Sequence, residues 1–346
     1  MARRAGHGDR RRAPHRRGSR RPRREVARPA RAVSSRRRQT RRPARPRVRV
    51  PHTPGRSTVN LDVTWIHGAL GEPALQVHPA DDRTYILRQN KAVTYEAPFL
   101  YLLVGDDRAL LLDTGATAEP EQFPLRATVD ELIGDLPLVV AHSHGHGDHV
   151  AADGQFADRP HTTIVGRDLE EVRAFFGFGP APDRLPDETV PFELGGRTLS
   201  IIGSPGHHKA AITIYDPRTR FLLTGDTVLP GRLYAFDYPM FLATLDRLVA
   251  FAEEHEISYV LGCHVEMRRR PGRDFPIGAT YQPDERPLEM TVEQLRHVRK
   301  AAYEVAGRRG VHRFDDFVVY NEPRQRDLLW LVGKGRLHKL IGRRPR

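Results

Sequence analysis

Between Ala141 and His149 the chain reads Ala141-His142-Ser143-His144-Gly145-His146-Gly147-Asp148-His149, four histidines and one aspartate in eight residues. Imidazole and carboxylate groups are costly to bury unless they are paired or bound to a cation. This run follows directly on the apolar stretch Leu136–Ala141, so burial is what the chain is set up to give it. Gly145 and Gly147 let the backbone come close, and several side chains can then converge from one loop. Imidazole and carboxylate donors together suit zinc, or iron and manganese.

Three later loops offer one donor each. They are Ser204-Pro205-Gly206-His207, Thr224-Gly225-Asp226-Thr227 and Gly262-Cys263-His264. Cys263 is the single cysteine, so a thiolate-based zinc site is excluded and any metal must be held by His, Asp or Glu.

Each donor loop needs an element to aim it, and the apolar pattern supplies one. Leu136–Ala141 reads as a strand running into the histidine cluster, and Ala109–Leu112 as a strand ending in Asp113-Thr114-Gly115. Thr198–Ile202, Phe221–Leu223 and Tyr259–Leu261 are short strands that precede His207, Asp226 and His264. Thr84–Leu87, Phe99–Val104, Thr162–Val165 and Ala211–Tyr215 read as further strands, and Phe317–Tyr320 as one more. Helical spacing of apolar residues marks Pro120–Ile133, Asp168–Phe176 with Asp168 as N-cap, residues 239–254, Val292–Ala306 and Leu328–Leu340. Strands followed by mixed strands and helices, twice over, imply two packed sheets with helices outside.

The formal charge of +13 belongs to one end of the chain. Residues 1–56 carry 22 arginines against Asp9 and Glu25, a net +20, which leaves 13 − 20 = −7 for residues 57–346. An arginine-rich segment with almost no apolar residues cannot offset its ordering entropy and is expected to be disordered. It reads either as a solvated run, such as upstream sequence translated from a misplaced start, or as an arm making non-specific contact with nucleic acid. It lacks the aromatic interleaving that stacks bases. Its twin arginines have no apolar run after them, so an export signal is not expected. No stretch approaches the ~20 apolar residues of a membrane span. The expectation is a cytoplasmic protein without membrane contact.

These motifs resemble the metallo-β-lactamase superfamily. The likeness covers roughly residues 61–266 and rests on Asp-Thr-Gly at 113–115, His-x-His-x-Asp-His at 144–149, Pro-Gly-His at 205–207, Gly-Asp-Thr at 225–227 and the terminal His264. The order and the intervals, 58 residues from His149 to His207, 19 to Asp226 and 38 to His264, are similar to the glyoxalase II and lactonase branches. The resemblance implies a four-layer αβ/βα sandwich, expected over residues 57–310; residues 311–346, which the resemblance does not reach, are expected as a C-terminal extension packed on that domain. The resemblance also implies that His144, His146 and His207 hold one metal, that Asp148, His149 and His264 hold a second, and that Asp226 bridges both. Two zinc ions, or iron or manganese, would be the cofactors. Asp113 would hydrogen-bond a ligand histidine or fix the loop. A hydroxide bridging the two ions would attack an ester, thioester or lactone carbonyl of a small-molecule substrate, with Asp148 orienting it.

Other residues carry two readings each. Tyr234, in Gly231-Arg232-Leu233-Tyr234, stands where lactonase-like relatives use a tyrosine to polarise substrate, and it also reads as a packing aromatic. His142 is expected to be an ordinary strand-end histidine. His208 would line the pocket or bond locally, and Cys263 would be a small buried hydrophobe. The loop Gly278–Pro283 could cover the site. Competing functions are a phosphodiesterase or nuclease, opposed by the acidic core, a mononuclear iron redox enzyme, which would need an electron-supplying domain, and a ligand-binding relative, which tends to lose ligands. The oligomeric state is not legible. A chain starting near Arg56 is expected to keep its melting temperature and hydrolytic rate, and loss of either would show that the tail packs on the core.

Overall fold

A computed structural model describes residues 59–180, 184–185 and 187–341. The arginine-rich segment lies outside the described residues. The first sheet is built from β1 (Leu75–Asp81), β2 (Thr84–Gln89), β3 (Phe99–Val104), β4 (Ala109–Leu112), β5 (Leu138–Ala141) and β6 (Thr162–Ile164), paired in that order. Between β4 and β5 lies α1 (Leu125–Ile133); the short α2 (Gly147–Val150) and then α3 (Leu169–Phe176) flank β6. The second half contributes β7 (Thr189–Glu193), β8 (Thr198–Gly203), β9 (Ile212–Asp216), β10 (Phe221–Gly225), β11 (Arg232–Ala235), α4 (Tyr238–Glu254), β12 (Tyr259–Gly262), β13 (Glu289–Met290) and α5 (Val292–Glu304). The second sheet has the order β13-β12-β10-β9-β8-β7. The chain continues with β14 (Gly310–Arg313), β15 (Val318–Asn321) and α6 (Gln325–Ile341), and a third sheet of order β11-β15-β14 ties this segment to the strand after Asp226.

Alternation within each strand builds the layers. In β3 and β4, Phe99, Tyr101, Leu103, Leu110 and Leu112 face the same core as Leu199 and Ile201 of β8, Ile212 and Ile214 of β9 and Leu223 of β10. The opposite face of the first sheet, Leu100, Leu102, Leu111 and Val140, packs on Leu125 and Val129 of α1. The opposite face of the second, Ile202, Leu222 and Val260, packs on Phe241, Leu245 and Leu248 of α4 and Leu295 and Val298 of α5. The result is helix, sheet, sheet, helix, the four-layer arrangement expected. Strands covered on both faces read as continuous apolar runs, as Phe99–Val104 does. Each fully buried large apolar side chain contributes about 1.5–3 kcal/mol.

One helix boundary needs correction. The helix expected from Pro120 begins only at Leu125, after Pro124. A residue before proline is pushed out of the helical region, so Phe123 cannot extend α1 backwards. Asp168 does cap α3, accepting from Glu171 N while the Glu171 side chain accepts from the Asp168 N–H, which closes a capping box.

Arg197 makes one of the buried polar contacts between the sheets. Arg197, 5% exposed, pairs with the fully buried Asp216 of β9 at 2.7 Å and donates to the carbonyls of Arg83 and Val104 and to Thr84 Oγ1. Arg197→Met would leave the Asp216 carboxylate in the core without its counter-charge, held only by hydrogen bonds from Thr219 and the Arg218 N–H. It is expected to cost about 3–5 kcal/mol of unfolding free energy, measured by urea denaturation. A change below about 1 kcal/mol would show that Asp216 finds other partners.

Candidate metal centre

Two of the parallel strand pairs place most of the donors. β4 and β5 run parallel in one sheet, and β10 and β12 in the other. Asp113 and the histidine loop follow the first pair, and Asp226 and His264 follow the second, so their loops leave the strands at one edge of the sandwich. His207 joins them from the loop after β8. Glycines make this approach sterically feasible. A Cβ on Gly225 would meet the Ser143 side chain at 2.7 Å, and one on Gly206, with φ +135°, would meet the Phe241 backbone at 2.5 Å.

The first cluster is His144, His146 and His207. His144 Nε2 lies 2.9 Å from His146 Nδ1, and His207 Nε2 lies 3.2 and 3.1 Å from those same two atoms. His207 Nδ1–H donates to the Tyr234 carbonyl at 2.8 Å. Ser143 Oγ donates to Asp113 and can therefore accept from His144 Nδ1–H at 3.2 Å. The facing Nε2 atoms are thus the lone-pair nitrogens. Lone pairs this close repel one another unless a cation lies among them.

The second cluster is Asp148, His149 and His264. Asp148 Oδ2 lies 3.6 Å from His149 Nε2 and 3.4 Å from His264 Nε2, and the two Nε2 atoms are 3.4 Å apart. Here too the far nitrogens are engaged. His149 Nδ1–H donates to Asp113 at 2.9 Å and His264 Nδ1–H to the Glu96 carbonyl at 3.0 Å. Asp226 stands between the clusters. Its Oδ2 is 3.8 Å from His207 Nε2, while Oδ1 is 3.7 Å from His149 Nε2 and 3.5 Å from His264 Nε2. Oδ1 is buried without a hydrogen-bond donor among the described residues. A buried carboxylate oxygen without a donor is the kind of atom a metal satisfies.

Electrostatics separates the two groups of histidines. Burial, then the charges of His149 and His207, holds His144 well below the usual imidazole range, and burial lowers His146 and His207 as well. These three are neutral and ready to ligate. Burial also opposes charge on His149 and His264, but the carboxylates outweigh it. Asp113 and Asp226 hold His149 well above the usual range, and Asp226 and Asp148 lift His264 to about 9. In return Asp148, despite its burial, falls to about 2 beside His264, and Asp226 is held well below the usual carboxylate range by His264 and His149. A cation entering the second cluster therefore displaces protons.

Asp113 does both things the resemblance implied. It binds His149 through Oδ2, and through Oδ1 it accepts the Ser143 N–H at 2.7 Å, which fixes the histidine loop. It does so from a left-handed backbone, φ 68°, a conformation aspartate tolerates at some cost. Cys263 is buried, as expected, and its thiol also donates to Asp113 Oδ2 at 3.1 Å, a contact that composition alone did not reveal. His142 turns away from the centre and pairs with Asp153 at 2.9 Å. His208 packs beside His146, with ring centroids 5.3 Å apart, and burial pushes it down to about 4.

A cavity of about 250 Å³ opens onto the centre, and its wall includes His146, Asp148, His207, Asp226 and His264 together with Tyr234. Sequence reasoning missed most of the remaining wall. Ile277 belongs to it, but Gly278–Pro283, expected as a cover, does not. Gln282 N instead bonds the His67 carbonyl. Part of the wall comes from α6, through Leu328, Leu331 and Val332, whose i, i+3, i+4 spacing was the signal available.

Asp113→Ala removes the acceptor that orients His149 and the loop. It is expected to weaken metal binding about 10–100-fold, measured by competition with a chromophoric chelator. Unchanged affinity would mean that the loop is held without it.

A family model described as "Metallo-beta-lactamase superfamily" matches residues 94–306. The hydroxyacylglutathione hydrolase of Rhizobium meliloti strain 1021 is 28% identical over 169 residues, covering 46% of this chain and 64% of that protein. The one from Mesorhizobium japonicum is 28% identical over 134 residues, covering 38% of this chain and 50% of that protein. The chain thus spans between half and two thirds of these relatives. Among solved structures, a metallo-beta-lactamase from Pontibacter korlensis aligns at 18% identity, covering 66% of this chain and 99% of that one with a TM-score of 0.45. One from Erythrobacter litoralis aligns at 13% identity, covering 68% and 99%, with a TM-score of 0.48. With the family match spanning most of the chain and its motif residues gathered at one sheet edge, the chain belongs to the metallo-beta-lactamase superfamily.

Proposed function

We propose that the chain is a metal-dependent hydrolase that opens an ester, thioester or lactone carbonyl at a site for two divalent ions. One observation carries the reading: the Asp226 carboxylate turns one oxygen to each histidine cluster, and its buried Oδ1 has no donor among the described residues. His144, His146 and His207 would hold one ion, Asp148, His149 and His264 the other, and Asp226 both. The donor set of imidazoles and carboxylates suits zinc, and admits iron or manganese. Bound ions would lower the pKa of water and polarise the acyl carbonyl.

The protein's own groups do the rest. Asp148 faces both the cavity and His264, so it can orient the attacking water and accept its hydrogen bond. Water adds its oxygen to the carbonyl carbon, the bond to the alcohol or thiol breaks, and the leaving group takes the proton. Tyr234 lines the cavity, and burial holds its phenol well above the usual range. It stays protonated at neutral pH and can donate to the carbonyl oxygen. Its carbonyl meanwhile orients His207, so the residue both packs and faces the substrate space. The net charge of −7 over residues 57–346 disfavours a phosphodiester substrate.

Asp226→Ala is expected to lower the metal bound per chain, because it removes the ligand that both ions would share. Asp148→Asn is expected to keep most of the metal and to lose about 10²–10⁴-fold in kcat. Elemental analysis and kinetics on both variants, with ester, thioester, lactone and phosphodiester substrates, check this. Near-full activity of Asp148→Asn, or a preference for phosphodiesters, would refute the reading.

A further inference from the structure

Beyond the metal-facing end, the cavity wall has an apolar side and a charged side formed by Glu96, Arg232 and Glu266. Leu229 and Phe236 come from the loops around β11, Ile277 from the segment after His264, and Leu328, Leu331 and Val332 from α6. Helix α6 is seated on the third sheet. Leu331 is 5% exposed and packs with Met267, Val318 and Tyr320, while Leu328 packs alongside. A Cβ on Gly335 would come within 2.4 Å of the Ile277 carbonyl oxygen, so the helix lies directly against the cavity's Ile277 side.

The charged part of the wall is already committed. Among the described residues, Arg232 is the one arginine or lysine that lines the cavity. It is 3% exposed, and its guanidinium is bound by Glu266, by Asp274 at 3.0 Å and by the Phe275 carbonyl. An arginine so saturated has little left for a substrate carboxylate. The remaining charged residues of the wall outside the two clusters, Glu96 and Glu266, are acids and offer a substrate carboxylate no counter-charge. At about 250 Å³ the space is also below the ~300–1,000 Å³ of pockets that enclose drug-sized ligands. Among the described residues, a substrate half with two carboxylates finds no free cation, and the space is small for it.

We infer that α6 is the specificity element of this site, and that Leu328, Leu331 and Val332 with Ile277 receive the uncharged apolar acyl chain of an ester or thioester whose leaving group is not a charged peptide thiol. The inference rests on the hydrolase reading above and departs from the hydroxyacylglutathione named for the relatives.

The test uses the full metal-loaded chain. Kinetics on 4-nitrophenyl hexanoate and acetate are expected to show kcat/KM at least about tenfold higher for hexanoate. A hydroxyacylglutathione is expected to be at least about tenfold poorer than the neutral N-acetylcysteamine thioester of the same acyl group. Val332→Asp places a carboxylate in the wall at a position 41% exposed, where folding tolerates it. It should cut the hexanoate-to-acetate ratio about tenfold or more, and Leu331→Ala should do so by raising KM for hexanoate. Leu329→Ala, 64% exposed and outside the cavity wall, should change neither. Binding of hexanamide, followed calorimetrically, gives a readout independent of turnover and should be lost in Val332→Asp. A preference for the hydroxyacylglutathione, or an unchanged ratio with unchanged hexanamide binding in both wall variants, overturns the inference. If no ester or thioester is cleaved but hexanamide binds and Val332→Asp abolishes that binding, the hydrolase reading fails while the apolar wall stands.

Discussion

Seven side chains turn nitrogen and oxygen atoms toward one another across 2.9–3.8 Å at the edge of two sheets, and most of these residues are buried. In a low-dielectric interior such a cluster is untenable unless cations or protons lie between the lone pairs. That constraint shapes the surroundings. Four of the five histidines of the two clusters have their far nitrogen tied to an oxygen: Ser143 Oγ, Asp113, and the carbonyls of Tyr234 and Glu96. Each tie removes one tautomer and turns the remaining lone pair inward. Polar groups outside the cluster thus keep its inside electron-rich.

The scaffold supports this because two sheets contribute similar edges. Each has a parallel strand pair, and the loops after those four strands carry Asp113, the histidine run, Asp226 and His264. Asp113 then links the halves. It accepts from Ser143 and His149 of the first half and from Cys263 of the second. A single buried carboxylate in a left-handed backbone thereby sets the spacing between a loop of each sheet. Its position directly after β4, with Thr114 N bonded to the His149 carbonyl, is what makes the Asp-Thr-Gly signature structural as well as chemical.

The candidate clusters were legible because metal binding demands particular residue types at particular loop positions, and packing alone would not place three imidazoles and a carboxylate together at 144–149. The doubly covered strands were legible for a related reason. Phe99–Val104 and Ala109–Leu112 are apolar throughout because both faces are buried. What escaped was set by long-range pairing. Strand β1 contains His78, Pro79 and Asp81 and shifts register at Pro79, so no alternation survives. Strand β7 carries Pro191 and exposes every second residue, as an edge strand does. Strands β11 and β14 are four residues each, too short to show a period, and exist because β15 lies between them. The α6 face was also hidden, since Leu329 and Trp330 point outward and blur the apolar stripe of Leu328, Leu331 and Val332.

The C-terminal segment therefore reaches the metal centre through backbone, not only by covering it. Parallel pairing places Tyr320 of β15 opposite Tyr234 of β11, and their rings sit 4.6 Å apart. The Tyr234 carbonyl is the acceptor that orients His207. Two residues earlier in β11, Arg232 locks onto Glu266, which follows His264 by two positions, and onto Asp274, which also holds Arg313 of β14. One short strand thus connects a ligand of the first cluster, the loop carrying a ligand of the second, and residues 310–321. Without the pairing to β15, β11 would lose its ladder, and the carbonyl that selects the His207 tautomer would lose its fixed place. The segment that local sequence patterns described least thus bears on the geometry of both clusters.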